Sequence, residues 1–309
     1  RLARALGVEP FKMTFHLNDV GGSFGGKSSL YHVPLIAAGL ARAVGRPVKY
    51  VEDRLEHMAN GNQHASDRIY DAALAVAADG TFTALSLKVI DDYGAYFMMN
   101  TGAHGNSLAQ ATGPYRIPAL QYDVTAVLTN KTQQAPYRGL GGEVGNFVIE
   151  RLVDAAATEL GRDPIELRRQ NFIDRHEFPD RIPNGNIYDS GDYHAVLDRA
   201  LAHAELATWR ERQRESLGTG KRIGIGISTV NERSVLSVTE LWFPDKDPVL
   251  PQTSSPESVQ LKMNPDGSCH VRVFAQHWGN SPETMATQLA AETLSMDPDR
   301  ISVSYGSTD

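Results

Sequence analysis

Cysteine is nearly missing from this sequence: one residue, Cys269, in 309. A single thiol excludes an intrachain disulfide framework and any iron–sulfur cluster held by this chain's own cysteines. Long apolar runs are missing as well. The longest, Pro34–Ala43, is broken by Gly39 and Arg42 and falls short of the ~20 residues that span a bilayer, so no membrane span is expected. Basic runs are short and the net charge is −7, which argues against a general nucleic-acid surface. There is no initiator Met and no visible leader. The first residues read as the end of a helix and the last, Gly306–Asp309, as a loop, so the expectation is an internal piece of a longer polypeptide.

What is present suffices for two ordinary cores, with 41% hydrophobic residues. The pattern reads as α+β, in two successive mixed units with the second incomplete: 1–178, a connector at 179–221, and 222–309. Phe11–Leu17 alternates as a half-exposed strand does. Ala78-Asp79-Gly80 marks a hairpin leading into an alternating strand at 82–90. A helix is expected over Val144–Leu160, with Val144, Val148, Leu152, Ala156 and Leu160 on one face and Gly161 as its stop. The connector carries helical pieces near 192–206 and 207–216. A proline-rich insert covers 231–256. Strands at 258–263 and 269–275, a helix at 282–295 and a strand at 300–305 follow. Both units suggest a strand–strand–helix–strand order, although the two segments share too little sequence to establish a repeat. Cys269 sits in an alternating strand as a core thiol, and His270 points to the opposite face, so the two form no metal site.

The most informative stretch is Gly21-Gly22-Ser23-Phe24-Gly25-Gly26-Lys27-Ser28, just before a Leu/Ala-rich segment ending at Val44. Glycines let the backbone approach a ligand, and a following helix turns its amides toward an anion. The pattern satisfies the P-loop signature, and Asp91-Asp92 could then serve as a magnesium acid. Against this, a P-loop follows a buried parallel strand with a continuous apolar run. Here the preceding segment alternates, and the supposed magnesium acid falls on an antiparallel meander.

The same stretch resembles the GGGFGGK loop of molybdenum hydroxylases, the family of xanthine dehydrogenase, aldehyde oxidase and aerobic carbon monoxide dehydrogenase. Other segments match family landmarks in the same order. They are Val48–Arg54, Asp92–Tyr96, Gly113–Pro118, Ala135-Pro136-Tyr137-Arg138-Gly139-Leu140-Gly141-Gly142, Ile149–Asp154 and Asp163–Asn171. The resemblance runs over nearly the whole chain from about residue 11 and identifies it as a stretch of the molybdopterin-binding large subunit. It makes 1–178 a first cofactor-binding domain and 222–309 the start of a second.

The resemblance implies a molybdenum-dependent oxidoreductase that oxidises an aldehyde or N-heterocycle carbon with water-derived oxygen. Its cofactor is molybdopterin with molybdenum, the cytosine dinucleotide being one form. Iron–sulfur [2Fe-2S] clusters and FAD are expected on other domains or subunits, in a cytoplasmic hetero-oligomer acting on a small molecule, with no nucleic acid. Gly22, Phe24, Gly25 and Gly26 would lie against the cofactor, and Arg138 and Gly139 would contact the pterin. Gly279, Asn280 and Ser281 match the family's Gly-Gln-Gly turn, with Asn shorter than Gln and Ser replacing the second Gly. No direct metal ligand and no catalytic residue is assigned within the chain: the glutamine near the metal is expected before residue 1 and the base glutamate beyond Asp309, leaving this piece inert alone. Glu143 reads as a first-turn helix acid.

Ser28, Asn106 and Leu140 fall where purine oxidisers carry an acid, an arginine and a stacking phenylalanine, so a purine would lose its polar and π contacts. Gly139 takes the place of the cysteine that bridges copper in carbon monoxide dehydrogenase. Two other classes remain open from sequence: a P-loop NTPase, and a structural or assembly partner without cofactor, for which the altered 279–281 turn is the best support.

Overall fold

A computed structural model describes residues 2–27, 32–60, 67–96, 102–232 and 258–307. The chain divides by packing into two compact units that are not consecutive in sequence. One joins residues 1–64, 135–138 and 255–309. The other joins 65–134 and 139–254.

The second of these units is built on a three-stranded sheet. Strand β1 (Arg68–Val76) and strand β2 (Phe82–Asp92) form the hairpin expected from Asp79-Gly80. Asp79 accepts from the Thr81 amide at 2.9 Å and Gly80 takes φ +92°, the left-handed turn geometry that glycine permits. After helix α4 (Gly102–Ala109) the chain adds β3 (Leu120–Val127) beside β2, in parallel. The sheet is therefore mixed rather than an antiparallel meander. The difference arises because 93–119 is long enough to cross back over the sheet, which parallel pairing requires.

Helix α5 (Gly142–Glu159) covers this sheet and ends before Gly161, at φ +62°. Its most buried positions are Ile149, Val153 and Ala157. Val148, Leu152, Ala156 and Leu160 flank them. The apolar stripe was placed one residue off centre, because a four-residue spacing drifts round a helix with 3.6 residues per turn. Helix α6 (Pro164–Asn171) is capped by Asp163, which accepts from Ile165 N at 2.7 Å. Phe82, Leu85, Leu87, Tyr115, Ile149, Val153, Leu167 and Phe172 make the core. A two-residue ladder follows, β4 (Asp180–Arg181) with β5 (Ile187–Tyr188), and then helices α7 (Tyr193–His203) and α8 (Leu206–Glu215).

Within α5 and α6 lies a buried ionic network. Arg168, whose side chain is fully buried, reaches Glu150 Oε2 at 2.9 Å and Asp154 Oδ1 at 2.9 Å, and donates to Ile227 O at 3.2 Å. Glu150 also accepts from Thr229 N at 2.9 Å and from the Tyr115 hydroxyl. Burial first, then the Glu150 charge, pushes the Tyr115 phenol well above its usual range, so it stays a donor.

The other unit repeats the same order of elements. Strands β6 (Val259–Met263) and β7 (Cys269–Val273) pair antiparallel, helix α9 (Pro282–Leu294) crosses over, and β8 (Ile301–Ser304) joins β7 in parallel. In both sheets five residues join the antiparallel pair, 77–81 and 264–268. The crossovers, 93–119 and 274–300, are also equal in length. Cys269, Val271 and Val273 pack on Ala286 and Ala290. His270 points the other way, to Ser302 and Ser304. The same unit contains α1 (Leu2–Leu6), α2 (His32–Val44) and α3 (Arg54–Asn60). Segment 11–17 is not a strand: a 3-10 turn occupies Pro10–Lys12 and only His16 forms an isolated bridge, to Ser307. Phe11, Phe15 and Leu17 are all exposed, so the alternation marks no buried face. Most of the 231–256 insert and Ser28 lie outside the described residues.

Candidate functional site

The glycine loop is held by its own residues. Gly26 N donates to Ser23 O at 2.9 Å and Lys27 N to Ser23 Oγ at 3.0 Å. The Lys27 ammonium folds back to Gly21 O at 2.8 Å, whereas a P-loop lysine reaches out to phosphate. The acids of the nucleotide reading are also engaged. Asp91 is buried against Arg68 and His104, and Asp92 is bound to Thr129 and Lys131. Nothing in this geometry supports a nucleotide site.

The loop presents Phe24, 58% exposed at φ +50°, and then Gly25 at φ +108°. A Cβ on Gly25 would stand 2.4 Å from Pro136 O. Only glycine lets the two backbones meet, so the glycine loop touches the segment that carries Arg138, more than a hundred residues along the chain. Arg138 is exposed, and among the described residues no hydrogen bond or ion pair occupies its guanidinium. Its planar donor fork is available to a flat polar ligand.

The third predicted segment belongs to the same unit. The chain entering the glycine loop is tied to residues 277–306. Leu17 N donates to Gly306 O at 2.6 Å, Val20 N to His277 O at 3.1 Å, and Tyr305 OH to Asp19 at 2.6 Å. Gly279 has φ +82° with open space where a side chain would be. Asn280 Oδ1 accepts from Trp278 N at 3.0 Å. Ser281 takes φ +51°, the left-handed conformation that its glycine counterpart would adopt freely. Its hydroxyl bonds Glu283 and Thr284, both at 3.1 Å. The turn leads into α9, whose N-terminal amides favour an anion. A hollow of about 420 Å³ beside it is lined by Phe15, Leu17, Trp278, Asn280 and Gly306.

After Arg138 the chain makes an unusual turn. Gly139, Leu140 and Gly141 take φ +100°, +45° and +91°. Gly139 has no room for a side chain: a Cβ would stand 2.5 Å from Glu143 Oε2. That carboxylate accepts from Gly141 N at 2.8 Å, so Glu143 works as a helix-entry acid. Asn106 is buried and donates to Gly139 O at 2.8 Å. Its side chain supports the turn from beneath. Among the described residues no group of three or more His, Cys, Asp or Glu side chains converges as a metal site. No described helix is long and apolar enough to cross a membrane. Sequence patterns gave no sign of Pro136, Asp19 and Tyr305, or of the ring of partners around Asp91, because each contact joins segments far apart in the chain.

Two family models described as molybdopterin cofactor-binding domains match residues 1–172 and 199–309. Over its full length the chain is 27% identical to the gamma subunit of the 6-hydroxypseudooxynicotine dehydrogenase complex of Paenarthrobacter nicotinovorans, of which it covers 37%. Across 98% of its length it is 30% identical to the carbon monoxide dehydrogenase large chain of Hydrogenophaga pseudoflava, of which it covers 38%. It thus spans well under half of these relatives. Among solved structures, quinoline 2-oxidoreductase of Pseudomonas putida 86 superposes with a TM-score of 0.89 at 30% identity, over all of this chain and 39% of the other. Glycine loop, arginine loop and pre-helix turn thus occur in a fold shared with these oxidoreductases, and the chain belongs to the molybdenum hydroxylase family, as a molybdopterin-binding part of its large subunit.

Proposed function

We propose that this chain forms the pterin-holding wall of a hydroxylase that oxidises an aldehyde or an N-heterocycle carbon. The observation that supports the reading is the close backbone approach of Gly25 to Pro136, two residues before Arg138, whose guanidinium has no partner among the described residues. When bound, molybdopterin with molybdenum supplies the redox chemistry that inserts water-derived oxygen at carbon. The protein's part is binding and orientation. Arg138 grips the polar edge of the pterin with two parallel donors, Gly22–Gly26 offers amides at close range, and the 279–281 turn with the start of α9 takes the phosphate. Gly139 and Leu140 would offer the substrate side no charged or ring-stacking side chain of their own. This suits an electron-poor ring or aldehyde better than a purine, whose polar edge would be left unpaired. Gly139 offers no thiolate for copper, so a mononuclear molybdenum centre is proposed.

The cytosine dinucleotide form of the cofactor, partner subunits with [2Fe-2S] clusters and FAD, and a cytoplasmic hetero-oligomer belong to the same proposal. The subunit names of the relatives support a complex. The test is molybdenum and pterin analysis of the full-length protein with Arg138→Ala and Arg138→Lys variants. Near-stoichiometric pterin in the parent, lost in Arg138→Ala and poorly restored by lysine, is expected. A parent without pterin would favour the structural-partner reading and overturn this one.

A further inference from the structure

Asp91 is fully buried at the end of β2. A buried carboxylate is costly unless closely partnered, and three segments supply the partners. Arg68 Nε of β1 lies 3.2 Å from Asp91 Oδ2 and His104 Nε2 of α4 lies 2.5 Å from it. The Gln134 amide donates to Oδ1. Burial works to raise the Asp91 carboxyl, but the His104 contact, then the Arg68 charge and Gln134, outweigh it and hold it below the ordinary range. The carboxylate therefore stays charged at neutral pH.

Two arms lead from this charge to one place. In the first, Arg68 Nη1 donates to Ser107 Oγ at 3.0 Å, and Ser107 Oγ spends its single proton on Gly141 O at 2.7 Å. A hydroxyl that accepts from a guanidinium becomes a better donor. In the second, Asp91 fixes His104 on α4, two residues before Asn106, which donates to Gly139 O. The far end of α4 is pinned too, with Asn184 donating to Leu108 O and Asn186 to Ala109 O. Both arms end on the turn in which three successive residues, one of them Leu140, hold positive φ. Such a conformation is unfavourable for a non-glycine residue and persists only where its surroundings impose it.

We propose that Asp91 is a positioning residue: it sets the Gly139–Gly141 turn through Arg68–Ser107 and His104–Asn106. The turn directly follows Arg138, so the bearing of this device on catalysis rests on the pterin reading, while the device itself does not. Asp91, Arg68, Ser107 and His104 touch neither pterin nor substrate in that reading.

Hydrogen exchange followed by mass spectrometry on the full-length protein tests it. Gly142 N bonds Gly139 O and Gly145 N bonds Gly141 O, so peptides over 139–146 report the turn and peptides over 164–171 serve as control. Asp91→Asn and Ser107→Ala are expected to speed exchange at 139–146 by about tenfold, the loss of a supporting hydrogen bond, with 164–171 unchanged. His104→Gln, whose amide can still donate to Asp91, should keep slow exchange, and His104→Leu should not. In the loaded enzyme Ser107→Ala should raise KM and quicken pterin loss with little change in Tm. Should Asp91→Asn fail to fold, Ser107→Ala, which cuts both the Arg68 and the Gly141 bonds of Ser107, decides together with the His104 pair. Parent-like exchange at 139–146 in folded Ser107→Ala overturns the proposal. A parent protein lacking pterin would refute the proposed function yet leave the exchange result valid.

Discussion

Arg168→Met is the most demanding test of how the larger unit is held together. The substitution keeps much of the apolar stem and removes the cation. Glu150 would then stand buried with only the Tyr115 hydroxyl and Thr229 as partners. Breaking a buried pair from one side costs about 3–5 kcal/mol, a large share of the ~5–15 kcal/mol that stabilises a domain. Because a long subunit does not unfold in one step, the suitable assay is native-state hydrogen exchange at α6. Protection there should fall by a factor of about 10² to 4 × 10³ at neutral pH. The double variant Glu150→Gln/Arg168→Met removes the stranded charge and should recover most of the protection. A loss under tenfold in Arg168→Met, or no recovery in the double variant, would refute the view that stranded charge, rather than lost packing, sets the cost.

Other outcomes follow from single features. Gly25→Ala combines a clash with Pro136 O and an unfavourable φ, and should lower pterin content more than Gly279→Ala, where the space is open; equal losses measured by pterin fluorescence would contradict this. Ser281→Gly relieves a left-handed serine and should raise Tm slightly, by the equivalent of ~1 kcal/mol or less; a clear fall in Tm would mean that the hydroxyl contacts outweigh the strain. The hydrogen bond from Thr129, then Lys131 and the Gly94 amide, lower the Asp92 carboxyl to about 2. A depressed carboxyl stabilises above its unfolded value of about 3.9 and loses that contribution as pH falls through its folded value. Exchange protection around Gly94 and Thr129 should therefore hold above about pH 4 and fall towards pH 2, and Asp92→Asn should abolish the pH dependence. With substrates, xanthine turnover should lie far below that of aromatic aldehydes, and the holoenzyme should carry no stoichiometric copper; either opposite result would displace Leu140 and Gly139 from the substrate wall.

Much of this was legible because local chemistry dictates it. Asp79-Gly80 can hardly be anything but a turn, Asp163-Pro164 starts a helix with its own cap, and Gly161 stops one. The apolar alternation of 269–273 placed Cys269 and His270 on their correct faces. What escaped was long-range. The strand-like alternation of 11–17 carried no information about a partner, and the structure supplies only a bridge at His16. The parallel place of β3 depends on a crossover that no local pattern encodes. The Asp91 cluster joins residues 68, 91, 104 and 134 with no period at all. Asn106 stood out by position in a family pattern, yet its burial and its bond to Gly139 O are features of packing. The three segments that the family resemblance assigns to the cofactor were legible as motifs; their convergence in one unit rests on the Gly25–Pro136 and Leu17–Gly306 contacts, which no single-segment reading contains.

The tie between the two ends of the chain has a consequence for biosynthesis. Asp19 bonds Tyr305 across 286 residues, and Leu17 and Val20 pair with the same late segment. At ~5–20 residues per second, roughly 15–60 s separate the emergence of the glycine loop from that of the residues that brace it. During that interval the α5-covered sheet can already form from shorter-range contacts, while the glycine loop waits without its support. Chains interrupted before residue 305 would thus hold the α5-covered core and a glycine loop without these late bonds.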